Sequence, residues 1–129
     1  MIGVGVGAFI IQDDKLLLVK RKKAPESFHW SLPGGKVDFM ETIEDAIIRE
    51  IKEELAITIT LERLLCVTNH ILPDEQIHFV APTFVAHICC GQPKNQEPHA
   101  LEAIGWYALN DLPEPLTLTT IKALEAYHP

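Results

Sequence analysis

The sequence predicts one α/β (α+β) domain, a sheet covered by helices, and three observations carry that expectation. A chain of 129 residues, 47% hydrophobic and 22% charged, is long enough for one core and short for two. Runs rich in β-branched and aromatic residues alternate with Pro, Gly, Asn and Asp turns over most of its length. Only two segments carry helical spacing, and strands mixed with few helices fit a layered sheet domain. The domain is read as 1–129, with no repeat, linker or low-complexity segment.

In order, residues 2–11 and 15–20 read as an apolar hairpin turning at Asp13-Asp14. The glycines of Gly3-x-Gly5-x-Gly7 lead into the apolar run Ala8 to Ile11, so they open a strand and not a dinucleotide loop. The basic run Lys20-Arg21-Lys22-Lys23 follows, then a loop carrying Pro25, Trp30 and a Leu32-Pro33-Gly34-Gly35 turn. Over 42–55, Ile43, Ala46, Ile47 and Ile51 recur at helical spacing, and Thr42 with Asp45 resembles a capping box. Strands are expected within 57–70, 77–90 and 103–109, and a last helix over about 117–127 after Pro113 and Pro115. Phe79, Phe84, Trp106 and Tyr107 are read as core.

The charge balance, 11 Lys+Arg against 18 Asp+Glu for a net −7, argues against binding duplex nucleic acid through bulk charge. Three cysteines, two of them adjacent at Cys89 and Cys90, make neither a disulfide framework nor a CxxC pattern; they are read as core packing in a reducing compartment. No apolar run reaches the roughly 18 residues of a membrane span, and the N-terminus lacks a signal peptide's positive flank, so a cytoplasmic protein is expected.

The chemistry concentrates on the helix at 42–55. At about 100° per residue with Ile43 at zero, Ala46, Ile47 and Ile51 define a buried stripe, Glu50 falls near 340° and Glu54 near 20°, with Glu53 beside them near 280°. Carboxylates inside an apolar stripe need a counter-charge, and an oxygen-preferring divalent cation, Mg²⁺ or Mn²⁺, supplies it. The alternatives are a solvated acidic face or pairing with Arg49, Lys52 or another basic residue, although one arginine is too little for three carboxylates.

These residues also match a family pattern. From Gly35, GKVDFMETIEDAIIREIKEELAI resembles the Nudix box, G-x5-E-x7-R-E-U-x-E-E-x-G-U with U apolar. Gly35, Glu41, Arg49, Glu50, Ile51, Glu53, Glu54 and Ile57 fall in place over 35–57, and Ala56 alone replaces a glycine. The six glycine and charged matches have a chance expectation on the order of 10⁻⁵ in a chain of this composition. Beyond the box, Trp30-x-Leu32-Pro33-Gly34-Gly35, Asn95-x-Glu97-Pro98, Ile104-x-Trp106 and Leu112-Pro113-Glu114-Pro115-Leu116 are similar to the MutT-like branch.

The resemblance implies an α/β/α sandwich on a mixed sheet and hydrolysis of a nucleoside diphosphate linked to X, above all a nucleoside triphosphate to monophosphate and pyrophosphate. ADP-ribose, nucleotide-sugar or dinucleoside-polyphosphate hydrolysis, or a non-catalytic nucleotide sensor, are the rivals. Glu50 and Glu54 share a metal in this reading, Glu53 holds a second ion or its water, and a Gly34 or Gly35 carbonyl is a further ligand. Glu50 is the general base and Glu53 the alternative, while Arg49 orients the cluster by pairing with Glu41. Arg21, with Lys20, Lys22 or Lys23, faces the phosphates or simply solubilises a loop; Glu97 or Glu102 adds a carboxylate from a loop. Asn69 and His78 are base-edge candidates, whereas His29, His70, His87, His99 and His128 are read as structural or surface residues. A homodimer is the oligomer the resemblance suggests.

Overall fold

A computed structural model describes residues 1–129. The hairpin forms as β1 (Gly3–Gln12) and β2 (Lys15–Arg21), joined by Asp13 and Asp14, both at positive φ as a two-residue turn of this hand requires. Two short strands follow, β3 (Trp30–Ser31) and β4 (Gly34–Lys36), then α1 (Ile43–Leu55), β5 (Thr58–Leu72), β6 (Ile77–Cys90), β7 (Leu101–Ala108) and α2 (Leu118–Ala126). Thr42 begins α1 as expected, its hydroxyl accepting the Asp45 N–H at 3.0 Å.

The sheet is mixed. β1 runs parallel to β6 and antiparallel to β2 and β4; β6 pairs antiparallel with β5, and β2 lies between β3 and β7. Strand alternation then sends side chains to two cores. Ala8, Ile10, Leu17 and Val19 meet Ala46, Ile47, Ile51 and Leu55 of α1, while Phe9, Leu16 and Leu18 meet Ala123 of α2. A helix on each face of one sheet is the sandwich the resemblance implies.

Two expectations are corrected. The segment read as a loop and turn holds β3 and β4, which pair with Val19–Lys20 and with Gly5–Gly7. Strands of two and three residues carry no readable period and are fixed by their partners. Two of the three cysteines are not core: Cys66 is half-buried and packs against the Phe9, Leu16 and Leu18 cluster, but Cys89 and Cys90 are exposed at the end of β6, past Ala86, its last buried residue. No helix is long and apolar enough to cross a membrane.

Candidate active site

The buried stripe of α1 carries its carboxylates where the wheel put them. Glu54 is only 8% exposed, Glu50 is half-buried and Glu53 is exposed. Glu54 Oε1 accepts the Gly34 N–H at 3.3 Å. Burial, with the charge of Glu97 added, pushes its carboxyl up to about 8. Burial likewise raises Glu50, against the opposing pull of Arg49.

The guanidinium of Arg49 grips Glu41 as a fork, Nε to Oε2 at 2.8 Å and Nη2 to Oε1 at 2.9 Å. Its Nη1 reaches Glu50 at 2.9 Å and Glu53 at 3.3 Å, and Nη2 also donates to the Lys36 carbonyl at 3.0 Å. Arg49 thereby holds the Glu41 carboxyl down to about 2. The pairing with a basic residue weighed for Glu50 is thus present, but Glu54 makes no such ion pair.

Both glycines of the Gly34-Gly35 pair are required by space. A Cβ on Gly34 would overlap the Val6 carbonyl of β1, and one on Gly35 would overlap the Glu50 carboxyl group. β4 can therefore lie between β1 and α1 only without side chains at these positions.

The C-terminus of α1 is tied to the loop that carries Glu97. Lys94 N–H donates to the Leu55 carbonyl at 2.9 Å and Gln96 N–H to that of Glu54 at 3.0 Å. The Gln96 side chain donates to the Lys52 and Glu53 carbonyls at 3.1 and 3.2 Å, so the loop satisfies the three carbonyls of Glu53, Glu54 and Leu55 that the helix end leaves free and adds a second bond to Lys52, which already accepts the Ala56 N–H. Asn95 shapes the loop, accepting the Glu97 N–H at 2.9 Å and donating to the Leu101 carbonyl at 3.0 Å. This is why the charge of Glu97 is felt at Glu54 and Glu50. Glu102 is exposed on β7.

Glu54, Gly34 and Gly35 open onto a cavity of about 250 Å³. Arg21 lines it, its Nε donating to the Pro25 carbonyl at 3.0 Å. The rest of its basic run does not: Lys20 lies over Trp30, Lys22 donates to the Pro98 carbonyl, and Lys23 is exposed. Asn69 is exposed, and neither it nor His78 lines the cavity. Strand alternation places their neighbours His70, Ile77 and Phe79 there.

Sequence reasoning also missed Glu26, Lys36, Thr117 and Thr119, which line the same space from a loop, the end of β4 and the start of α2. Phe79, read as core, is a wall of it and takes Lys36 Nζ at 5.7 Å from its ring. The one available signal was the alternation of glycines at 3, 5 and 7, which marks a strand face with no side chains.

A profile of the NUDIX domain matches residues 1–127. The chain belongs to the Nudix family. A MutT NUDIX hydrolase from Burkholderia pseudomallei has a crystal structure similar to this one at TM-score 0.93, with 52% identity over 99% of both chains. An ADP-ribose pyrophosphatase of Methanocaldococcus jannaschii is 37% identical over 111 residues, 86% of this chain and 64% of its own length. The CTP pyrophosphohydrolase of Escherichia coli is 29% identical over 127 residues, 95% of this chain and 88% of its own. The chain thus spans less than two thirds of the archaeal relative. Within the Nudix box, Gly35 to Ile57, the fold gives a physical role to Gly35, Glu41, Arg49, Glu50 and Glu54.

The Nudix carboxyl set also passes a test for a cation. No three acidic, imidazole or thiol groups converge closely enough to enclose an ion unaided. Yet Glu54 and Glu50 are both pushed toward protonation, with the unpaired charge of Glu97 adding to it. An all-oxygen set short of positive charge fits a hard divalent cation that completes its shell with water and substrate oxygens.

Proposed function

We propose that this Nudix domain hydrolyses the phosphoanhydride of a nucleoside diphosphate linked to X, with a nucleoside triphosphate, cleaved to monophosphate and pyrophosphate, as its main substrate. One observation carries the reading: α1 delivers the buried Glu54 to a cavity that Arg21 also lines, with the Glu50 carboxyl packed against Gly35 at its wall. That combination suits a polyanion bound through a cation in a protein of net charge −7.

Mg²⁺, or Mn²⁺, would be held by Glu50, Glu54 and Glu97, with the Gly35 carbonyl and Glu53 as further donors. When bound, the ion neutralises phosphate oxygens and the charge that builds on them during attack. Glu50 takes the proton of the attacking water at its carboxylate, with Glu53 as the alternative. As the water oxygen bonds to phosphorus, the bridging P–O bond breaks and pyrophosphate carries away its electrons. Arg49, anchored by Glu41, holds Glu50 in place, and Arg21 faces the phosphates. A reducing cytoplasm, where nucleotides are abundant, suits three unbridged cysteines.

The relative named as a CTP pyrophosphohydrolase favours a triphosphate, while the one named as an ADP-ribose pyrophosphatase favours ADP-ribose as the second reading. A panel of nucleoside triphosphates, ADP-ribose, nucleotide sugars and dinucleoside polyphosphates, assayed with Mg²⁺ for pyrophosphate and monophosphate, separates them. Pyrophosphate from a triphosphate supports the main reading. Turnover of ADP-ribose alone replaces it with the second, and turnover of none overturns both.

A further inference from the structure

The cavity has two chemically different ends. Toward α1 it is lined by Glu54, Gly34 and Gly35, with Arg21 near enough to be felt by the Glu54 carboxyl. Its other polar groups include Glu26, His70, Thr117 and Thr119. Glu26 and His70 come from distant parts of the chain, and both side chains are 13% exposed.

Glu26 Oε2 accepts the N–H of Leu118 at 2.8 Å, the first residue of α2, whose N-cap Thr117 makes no side-chain cap of its own. Glu26 Oε1 lies 3.0 Å from His70 Nε2. A carboxylate only accepts hydrogen bonds, so His70 Nε2 carries the proton of this pair, and in the neutral ring Nδ1 is left as an acceptor. No protein group bonds to Nδ1. The cap thus fixes Glu26, and Glu26 fixes the tautomer of His70.

The floor between these groups is kept bare. A Cβ at Gly5 or Gly7 would come no nearer than 3.5 Å to another atom, an ordinary contact, so packing does not demand glycine at either position. At Gly3 the case differs, since a Cβ there would stand 2.5 Å from the Phe79 ring. Gly5 and Gly7 leave room over the sheet for a flat ring, with Phe79 beside it.

Resting on the nucleotide reading above, we propose that His70 is a specificity-determining residue whose Nδ1 accepts a hydrogen bond from an amino group on the substrate's base, and that Glu26 is its positioning residue. Bases bearing an amino group are preferred over isosteric bases with a carbonyl or hydrogen in its place.

The test is the ratio of kcat/KM within two matched pairs, CTP against UTP and GTP against ITP. The wild type favours the amino-bearing partner by about tenfold or more in at least one pair, carried by KM rather than kcat. His70→Phe keeps the ring and brings that ratio near one. Glu26→Gln keeps an acceptor for Leu118 N–H, but its amide donates to His70 Nε2 and turns Nδ1 into a donor, so the preference falls or reverses. A wild-type ratio near one in both pairs, or a preference left intact by Glu26→Gln, overturns the proposal. If none of the four nucleotides is hydrolysed, the triphosphate reading fails instead. Calorimetric binding of the same pairs with Mg²⁺ then reads the base preference independently, with equal affinities counting against it.

Discussion

Gly35 and Glu50 compete for one space: the carboxyl group of Glu50 occupies the volume that any side chain at Gly35 would need. The glycine of the box is therefore tied to the position of a catalytic candidate and not to a backbone bend. Its neighbour Gly34 is set against backbone, at the Val6 carbonyl.

The two glycines should fail differently. In Gly35→Ala the obstacle is the end of a flexible side chain, so the protein folds while Glu50 is displaced and turnover falls by about 10²-fold. In Gly34→Ala the obstacle is a strand that cannot give, and stability drops by about 1–3 kcal/mol or more. Melting curves with activity assays separate them; an active Gly35→Ala would remove the Glu50 position from the mechanism.

Ala56 stands where the box has glycine, and it adopts the left-handed conformation at φ 60° and ψ 29° after α1. That geometry costs a residue with a Cβ on the order of 1 kcal/mol. Ala56→Gly should therefore raise stability by several tenths to about 1 kcal/mol, with turnover almost unchanged. A denaturant melt checks this, and a loss of stability would show that the strain is relieved elsewhere.

The elements that were legible in the sequence share a long period. α1 spans thirteen residues, its stripe repeats, and its cap is local, so the wheel placed Glu54 inside and Lys52 outside correctly. The cavity was illegible because it is assembled from single residues far apart: Glu26 reaches His70 across 44 positions and Leu118 across 92. Asn69 and His78 each stand one residue from the cavity-lining His70, Ile77 and Phe79, and a shift of one residue inverts a strand's sides. Glu97 was found as a carboxylate, while the means of placing it, Gln96 on the end of α1, needed the fold.

Burial raises the Glu54 carboxyl to about 8 from the usual 4.5, which makes the metal-free protein pH-sensitive. A raised carboxyl contributes its full stability below 4.5 and loses it as the pH climbs through about 8. In EDTA, Glu54→Gln should melt higher than wild type at pH 9, and the gap should close toward pH 5. Mg²⁺ should stabilise the wild type more than the variant. A lower melting point for Glu54→Gln at pH 9 would mean that its carboxylate is already compensated without a cation.

The central claim is that α1 supplies a cation-dependent catalytic carboxylate, and pyrophosphate release by wild type and Glu50→Gln, each with Mg²⁺ and with EDTA, tests it most directly. Wild type should release pyrophosphate from a nucleoside triphosphate only with Mg²⁺, and Glu50→Gln should be slower by at least about 10²-fold with its melting curve intact. Equal rates for the two proteins, or release that continues in EDTA, would contradict the account.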